Sequence, residues 1–128
     1  MSTIVKTFQP RFSDLVESGK KLTTIRPVPK RMPKVGDTIL LRAWSGLPYR
    51  SNQRRLGEGL ITSIDRVMID CPSGRFRCFM CDRELSVDDW NDLAIKDGFE
   101  GRIAMTDWFL NTHGLPFEGI LIQWRKTV

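Results

Sequence analysis

The stretch Thr3–Arg26, with the sequence TIVKTFQPRFSDLVESGKKLTTIR, carries the pattern from which the fold of this chain is predicted. Its beginning, Thr3–Phe8, follows the two-residue period of a half-buried strand. Pro10 then supplies the fixed φ of a first helical turn, and apolar residues recur at helical spacing up to Gly19, which suits a left-handed C-terminal cap. From Lys20 onward the stretch is polar and β-branched. It therefore predicts a strand, a short helix and a second extended segment.

The rest of the chain alternates β-rich segments with two more amphipathic stretches. Strands are predicted at Thr38–Trp44, 59–68, 75–80 and 117–124, with Cys71–Gly74 as a hairpin turn and residues 45–55 as a polar loop. Helices are predicted from Ser86, an N-cap answered by Asp89, to about Lys96, and around Ile103–Phe109. Short strands interrupted by three short helices favour an α+β fold built on a mixed or antiparallel β-barrel.

Length and composition predict one globular domain covering residues 1–128. The chain has 41% hydrophobic and 27% charged residues, which is typical of a folded domain. No apolar run approaches the roughly 20 residues that cross a bilayer, and the N-terminus lacks the apolar core of a signal peptide. We therefore expect a cytoplasmic protein without a membrane partner.

The net charge of +5 is concentrated in the first half of the chain. Much of the excess is carried by Lys20, Lys21, Arg26, Lys30, Arg31, Lys34, Arg42, Arg50, Arg54 and Arg55. Such a cluster attracts polyanions and speeds their encounter with the protein. A solvated basic face without a ligand is the alternative interpretation, and charge alone does not separate the two.

The three cysteines, Cys71, Cys78 and Cys81, are expected to be reduced thiols, because an odd number without an export signal does not suggest a disulfide framework. Cys78 and Cys81, which the pattern places within one strand, form a single Cys-x-x-Cys step. The lone histidine, His113, could complete a tetrahedral zinc site, but the set is incomplete, and we interpret the cysteines as ordinary barrel residues. No metal is therefore predicted. No phosphate-cradling glycine motif is present, so no nucleotide cofactor is predicted either.

Two early motifs and several later ones resemble the ASCH (activating signal cointegrator homology) family. The first is Phe8-Gln9-Pro10-Arg11-Phe12, and the second, Ser18–Arg26, is called the signature segment below because it runs from Gly-x-Lys into Thr-x-Arg. The later motifs are Gly36-Asp37, the Trp44 to Gln53 segment, Asp97-Gly98-Phe99, and Gly114 to Gly119 followed by Trp124. The resemblance spans nearly the whole chain and is closest to the small stand-alone bacterial and phage members.

This resemblance implies a PUA-like barrel that binds RNA or a modified nucleoside. One branch of the family hydrolyses the amide of N4-acetylcytidine, and its proposed catalytic residues map to Lys21, Thr24 and Asp97. Asp97 keeps the carboxylate of the family's glutamate on a side chain that is one methylene shorter. The candidate ligand-binding residues are Lys20, Arg26, Tyr49, Arg50, Ser51 and Gln53, of which Arg26 belongs to the signature segment and Tyr49 could stack on a base.

Amide hydrolysis requires a nucleophile, a base and donors for the oxyanion. Thr24 could supply the hydroxyl, Lys21 could act as the base, and Asp97 could orient the lysine or a water. The leading hypothesis is nevertheless a binding module for RNA or a modified nucleoside. An amidohydrolase or a ribonuclease using the same residues is the alternative, and a protein-interaction domain is a third.

Overall fold

The computed structural model describes residues 2–47 and 50–127, and within them seven strands and three α-helices make an α+β protein. The strands are β1 Thr3–Phe8, β2 Thr23–Pro27, β3 Thr38–Trp44, β4 Gln53–Asp70, β5 Arg77–Met80, β6 Arg83–Glu84 and β7 Phe117–Thr127. The helices are α1 Pro10–Glu17, α2 Val87–Lys96 and α3 Arg102–Thr112, and a short 3-10 turn covers Pro72–Gly74. The predicted α+β class is confirmed.

The sheet is mixed, as predicted. β1 lies parallel to β3, whereas β3 with β4, β4 with β5 and β5 with β6 are antiparallel pairs. β7 pairs with both β2 and β4. By contact density the chain divides into two compact units. The first comprises Met1–Leu22, Pro33–Ile64 and Gln123–Val128, and the second comprises Thr23–Met32 and Asp65–Ile122.

In the first unit, α1 follows β1 as the sequence pattern predicts. Pro10 opens the helix, and Gly19 has φ +81° just beyond its end, a conformation that a residue with a Cβ rarely adopts. Phe12 and Val16 are buried on one face of the helix. The Phe8 ring lies 6.2 Å from the Trp124 ring, between centroids, so an aromatic pair contributes to the core of this unit.

In the second unit, α2 and α3 pack around an aromatic cluster. The Phe109 ring lies 4.7 Å from Phe117 and 4.9 Å from Trp108 between centroids. The predicted N-cap of α2 is confirmed, because the Ser86 hydroxyl oxygen accepts a hydrogen bond of 3.1 Å from the Asp89 amide. The helix ends at Lys96, with Asp97 as its C-cap.

Several boundaries predicted from the sequence were wrong; among them, β4 ends at Asp70 rather than at residue 68, and β5 begins at Arg77 rather than at residue 75. Residues 53–55, expected in a loop, are the first residues of β4, where they pair with Trp44, Ala43 and Arg42 of β3. These residues are exposed and polar, so their backbones rather than their side chains hold the strand in place. Cys81 lies in the turn after β5 with φ +51°, not within the strand, and β7 continues past Trp124 to Thr127.

A bulge lies between β3 and β4 near the start of β4. Leu41 faces Gly57, but the next residue, Arg42, faces Arg55, so Leu56 is the extra residue on β4. Leu56 is only 5% exposed, which shows that the bulge turns this side chain into the core. Such an insertion resets which residues of a strand face inward, and alternation in the sequence alone does not reveal it.

We expect Gly59→Ala to destabilise the protein by about 1–3 kcal/mol, the usual range for overpacking. A Cβ at this position would lie 2.6 Å from Trp124 Cδ1 and 3.0 Å from the Arg125 carbonyl oxygen. Gly46→Ala is the matched control, because its added Cβ would meet Ser51 Cβ at an ordinary 3.5 Å. Urea denaturation measures both variants. Equal free energies of unfolding for the two would contradict the close packing at Gly59.

Candidate functional site

The signature segment is shared between the two compact units. Lys20 and Lys21 belong to the first unit, whereas Thr23, Thr24 and Arg26 belong to the second.

Lys21 is a buried lysine. It is only 3% exposed, and its ammonium nitrogen Nζ lies 5.1 Å from the Phe12 ring centroid and 5.8 Å from that of Phe8. Its backbone amide donates a hydrogen bond of 2.9 Å to the Leu15 carbonyl, which fixes the chain beside α1. Burying an ammonium group is costly, and the ring faces offset part of that cost by cation–π attraction. Lys21 is thus unlike its neighbour Lys20, which is exposed to solvent.

Asp97 is held by Thr23, a residue that the sequence did not single out. The Thr23 hydroxyl donates a hydrogen bond of 2.7 Å to Asp97 Oδ1, and both residues are 3% exposed. Asp97 is positioned by the end of α2, where its amide donates to the Leu93 carbonyl at 3.0 Å, and by Gly98, which turns the chain with φ +94°. The signal for this pair was present in the sequence as adjacent threonines in the signature segment and an Asp-Gly step after a helix.

Thr24 is held by Arg26. The Nε–H group of Arg26 donates a hydrogen bond of 2.9 Å to Thr24 Oγ1, and Thr24 is 4% exposed. Residues two apart on a strand share a face, so Thr24 and Arg26 lie on one side of β2. Thr23, the neighbour of Thr24, points to the opposite side, where it meets Asp97.

The Thr24 hydroxyl is polarised by this arrangement. Its oxygen accepts from a guanidinium group, which favours negative charge on that oxygen. Within residues 2–47 and 50–127, its own proton has no acceptor. The Thr24 hydroxyl can therefore donate to a ligand while Arg26 holds it in place.

His113 is an exposed residue of the second unit whose imidazole is affected by the charge of Arg26. Partial desolvation and that positive charge, in this order, lower the pKa of the imidazole below its ordinary value. Its ring lies 5.0 Å from that of Phe117, between centroids, and 5.7 Å from that of Trp108. The neutral imidazole offers one donor and one acceptor beside the guanidinium of Arg26. The sequence had indicated His113 only as a candidate zinc ligand.

The other predicted ligand-binding residues lie in the first unit, around the turn between β3 and β4. The Ser51 hydroxyl donates to the Leu47 carbonyl at 2.8 Å and accepts from the Gly46 amide at 3.0 Å, so this side chain closes the turn. Arg50 is exposed, and Gln53 is an exposed residue at the start of β4. Tyr49 lies outside the described residues.

Part of the predicted basic cluster is neutralised by carboxylates. Arg54 Nη1 lies 3.0 Å from Glu17 Oε2, and Arg55 Nη2 lies 2.7 Å from Glu58 Oε1. These pairs are exposed, and pairs of this kind contribute only about 0–1 kcal/mol to stability. They nevertheless reduce the positive charge that residues 54 and 55 present to a polyanion.

The three cysteines are free thiols, and no three metal-ligating side chains are grouped anywhere in the described part of the chain. Cys78 is fully buried, and desolvation raises the pKa of its thiol to about 12, so the thiol stays protonated. Cys81 Sγ lies 3.5 Å from Asp65 Oδ1. None of the described helices is long and apolar enough to span a membrane.

Comparison with known proteins found no matching family model, no matching curated protein and no matching solved structure. Membership of the ASCH family and a PUA-like barrel accordingly stay predictions. What the structure brings together is a pair of polar contacts on opposite sides of β2, Thr23 with Asp97 and Thr24 with Arg26, and His113 near Arg26.

We expect Thr23→Val to lower the free energy of unfolding by about 1–3 kcal/mol, because it deprives the buried Asp97 carboxylate of a hydrogen bond. Thr62→Val is the matched control. Thr62 is an exposed threonine on β4 whose hydroxyl donates to the Gln123 carbonyl at 3.3 Å, and its loss should cost less than about 0.5 kcal/mol. Chemical denaturation measures both variants, and equal costs would show that the Thr23–Asp97 bond does not stabilise the second unit.

We expect the stability of the protein to depend on His113 below its ordinary pKa of 6.5. Because the folded state lowers this pKa, the unfolded chain binds the proton more readily. The contribution of the neutral ring is complete above pH 6.5 and is lost as the pH falls through 6.5 toward the lowered value. The His113→Gln variant should show a smaller fall in Tm between about pH 7.5 and about pH 5.5. Parallel curves for the two proteins would contradict this, since the chain has one histidine.

Proposed function

We propose that this protein binds RNA or a modified nucleoside through the signature segment. The observation that carries the proposal is the pair formed by Thr24 and Arg26, in which a nearly buried hydroxyl accepts from a guanidinium and keeps its own proton for a ligand. A strand whose only task is structural would bury apolar side chains, because burying polar ones costs free energy. The signature segment instead buries three polar or charged residues, Lys21, Thr23 and Thr24, whereas the apolar Leu22 between them is only half-buried.

The chemistry of these groups suits a nucleoside. Arg26 provides donors for phosphate or carbonyl oxygens, and the Thr24 hydroxyl donates to a third acceptor. The neutral His113 ring beside Arg26 adds a donor and an acceptor for base or ribose edges. The net charge of +5 speeds the encounter with a polyanion. The resemblance to ASCH domains, which implies a PUA-like barrel, supports the same class of ligand.

An arginine comparison tests this proposal. We expect Arg26→Ala to weaken binding of a fluorescent single-stranded RNA at least about tenfold, since it removes charge-assisted hydrogen bonds. Arg83→Ala is the matched control, because Arg83 is an exposed arginine of β6 and its removal changes the net charge equally. Fluorescence anisotropy at two salt concentrations measures both. An equal loss in the two variants would mean that binding is non-specific charge attraction and would overturn the proposal.

Amide hydrolysis is the second candidate function, and the Arg26–Thr24 contact favours it specifically. A guanidinium beside the Thr24 oxygen stabilises the alkoxide that attacks an amide carbon. In this hypothesis a general base, the role that the resemblance implies for Lys21, takes the hydroxyl proton and returns it to the leaving nitrogen. The tetrahedral intermediate collapses to the free amine and a threonine ester, which water hydrolyses to the carboxylic acid and Thr24. The Asp97 carboxylate is bonded to Thr23 on the opposite face of β2, so it acts in this scheme as a positioning residue for the strand.

Incubation with N4-acetylcytidine tests this second candidate. Catalysis by Thr24 requires that liquid chromatography show release of cytidine by the wild-type protein, loss of release in Thr24→Val and Lys21→Ala, and partial recovery in Thr24→Ser. An unchanged midpoint of urea denaturation in Thr24→Val would show that the chemistry and not the fold was lost. No release by the wild-type protein would rule out this substrate and leave the binding proposal in place.

A further inference from the structure

A recess of about 320 Å³ lies within the second unit, and the signature segment does not contribute to it. This volume is at the small end of the range of about 300–1,000 Å³ that ligand pockets have. The lining side chains that matter here are Val28, Met68 and Phe79, which are apolar, and Arg66, Asp82 and Glu118, which are charged.

The apolar wall contains the Phe79 ring, and the guanidinium of Arg77 packs against one face of this ring. Met68 on β4 and Phe79 on β5 are direct partners in the antiparallel pair. The guanidinium carbon of Arg77 lies 4.9 Å from the Phe79 ring centroid, and Arg77 is fixed by two hydrogen bonds of 2.9 and 2.8 Å to the Asp70 carboxylate. Phe79 is therefore a positioned aromatic surface, and an aromatic ligand can stack on such a surface.

The charged rim offers mainly acceptors. Asp82 forms an exposed ion pair with Arg66. Glu118 is exposed and makes no side-chain hydrogen bond or ion pair with any residue in the described ranges. An ionised carboxylate only accepts hydrogen bonds, so Glu118 selects a ligand with a donor. Two carboxylates against one guanidinium also disfavour a phosphate here.

We propose that this recess binds a single nucleobase carrying an exocyclic amino group, such as cytosine or adenine, which stacks on Phe79 and donates a hydrogen bond to Glu118. The proposal rests on the proposed function, because it names the part of an RNA or nucleoside that enters the recess. Uracil has a similar stacking face but a carbonyl where cytosine has its amino group, so it meets Glu118 with an acceptor against an acceptor. The recess therefore discriminates bases, whereas the cations of the signature segment attract phosphate regardless of sequence.

The test compares octamers of cytidine and uridine by fluorescence anisotropy under identical salt. We expect the wild-type protein to bind oligocytidine about tenfold or more tightly than oligouridine, the size of one hydrogen bond to a charged group. Glu118→Gln should bring the two affinities together, because an amide also donates to the uracil carbonyl. Glu100→Gln is the matched control, since Glu100 is an exposed glutamate of the same unit with the same charge, and it should keep the preference.

Titration with free cytidine and uridine shows whether the recess binds a lone nucleoside or only a base within a strand. It also distinguishes binding in the recess from binding at the signature segment. Cytidine should bind Glu100→Gln as well as it binds the wild-type protein, and should bind Phe79→Leu at least about fivefold more weakly because stacking is lost. If oligocytidine and oligouridine bind equally, or if Glu118→Gln and Glu100→Gln behave alike, the recess is not a base site.

In that event a selective loss of RNA binding in Arg26→Ala still supports the signature segment. Cytidine selectivity that depends on Glu118, together with equal losses in Arg26→Ala and Arg83→Ala, would instead support the recess and overturn the signature segment.

Discussion

The hydrogen bond from Thr23 to Asp97 is the constraint on which the polar arrangement of the second unit depends. Both partners are 3% exposed, so the carboxylate has little access to water and must be satisfied by the protein. Fixing Thr23 toward Asp97 fixes the rotation of β2 about its own axis. Thr24 and Arg26 are then directed to the other side of the strand, where their own contact forms.

The first unit also buries an ionisable group, Lys21, and stabilises it with aromatic rings. The ammonium group of Lys21 is surrounded by the rings of Phe8 and Phe12, one from the end of β1 and one from α1. The motif Phe8-Gln9-Pro10-Arg11-Phe12 places these two rings on either side of the helix start, where Pro10 fixes the direction of the chain. Lys21, nine residues after Phe12 in the sequence, thus packs against both rings of this motif in the folded first unit.

Much of the fold could be predicted because it is encoded locally. α1 is set by Pro10 and Gly19, α2 by the cap at Ser86, and β3 by apolar residues from Ile39 to Trp44 that only Arg42 interrupts. Each of these signals lies within or directly beside the element that it defines. The start of β4 could not be predicted, because its polar residues are held by backbone pairing with β3, and that pairing depends on a partner about ten residues earlier in the chain. The bulge at Leu56 is likewise a property of the pairing.

The candidate site shows the same division between what is local and what is not. The sequence supplied Thr24, Arg26 and Asp97 as residue types, but which of two adjacent threonines meets a carboxylate depends on the rotation of β2 in the sheet. A loop serine such as Ser51 looks like a ligand-binding residue until its two backbone contacts are known. The recess beside Phe79 left no motif, because its walls come from four separate stretches of chain.

The two proposed ligand contacts in the second unit, Arg26 and the recess beside Glu118, differ in charge. Arg26, on β2, and Val28, at the wall of the recess, are two residues apart, which limits the distance between their Cα atoms to about 7 Å. Arg26 lies beside a neutral imidazole and a hydroxyl, whereas the recess holds Glu118 and Asp82 against one guanidinium. Under the two proposals, this difference favours an anionic phosphate at Arg26 over Glu118 and an amino-bearing base at Glu118. This difference in charge predicts the direction of a bound nucleotide: its phosphate would lie near Arg26 on β2, and its base would lie near Val28 and the recess.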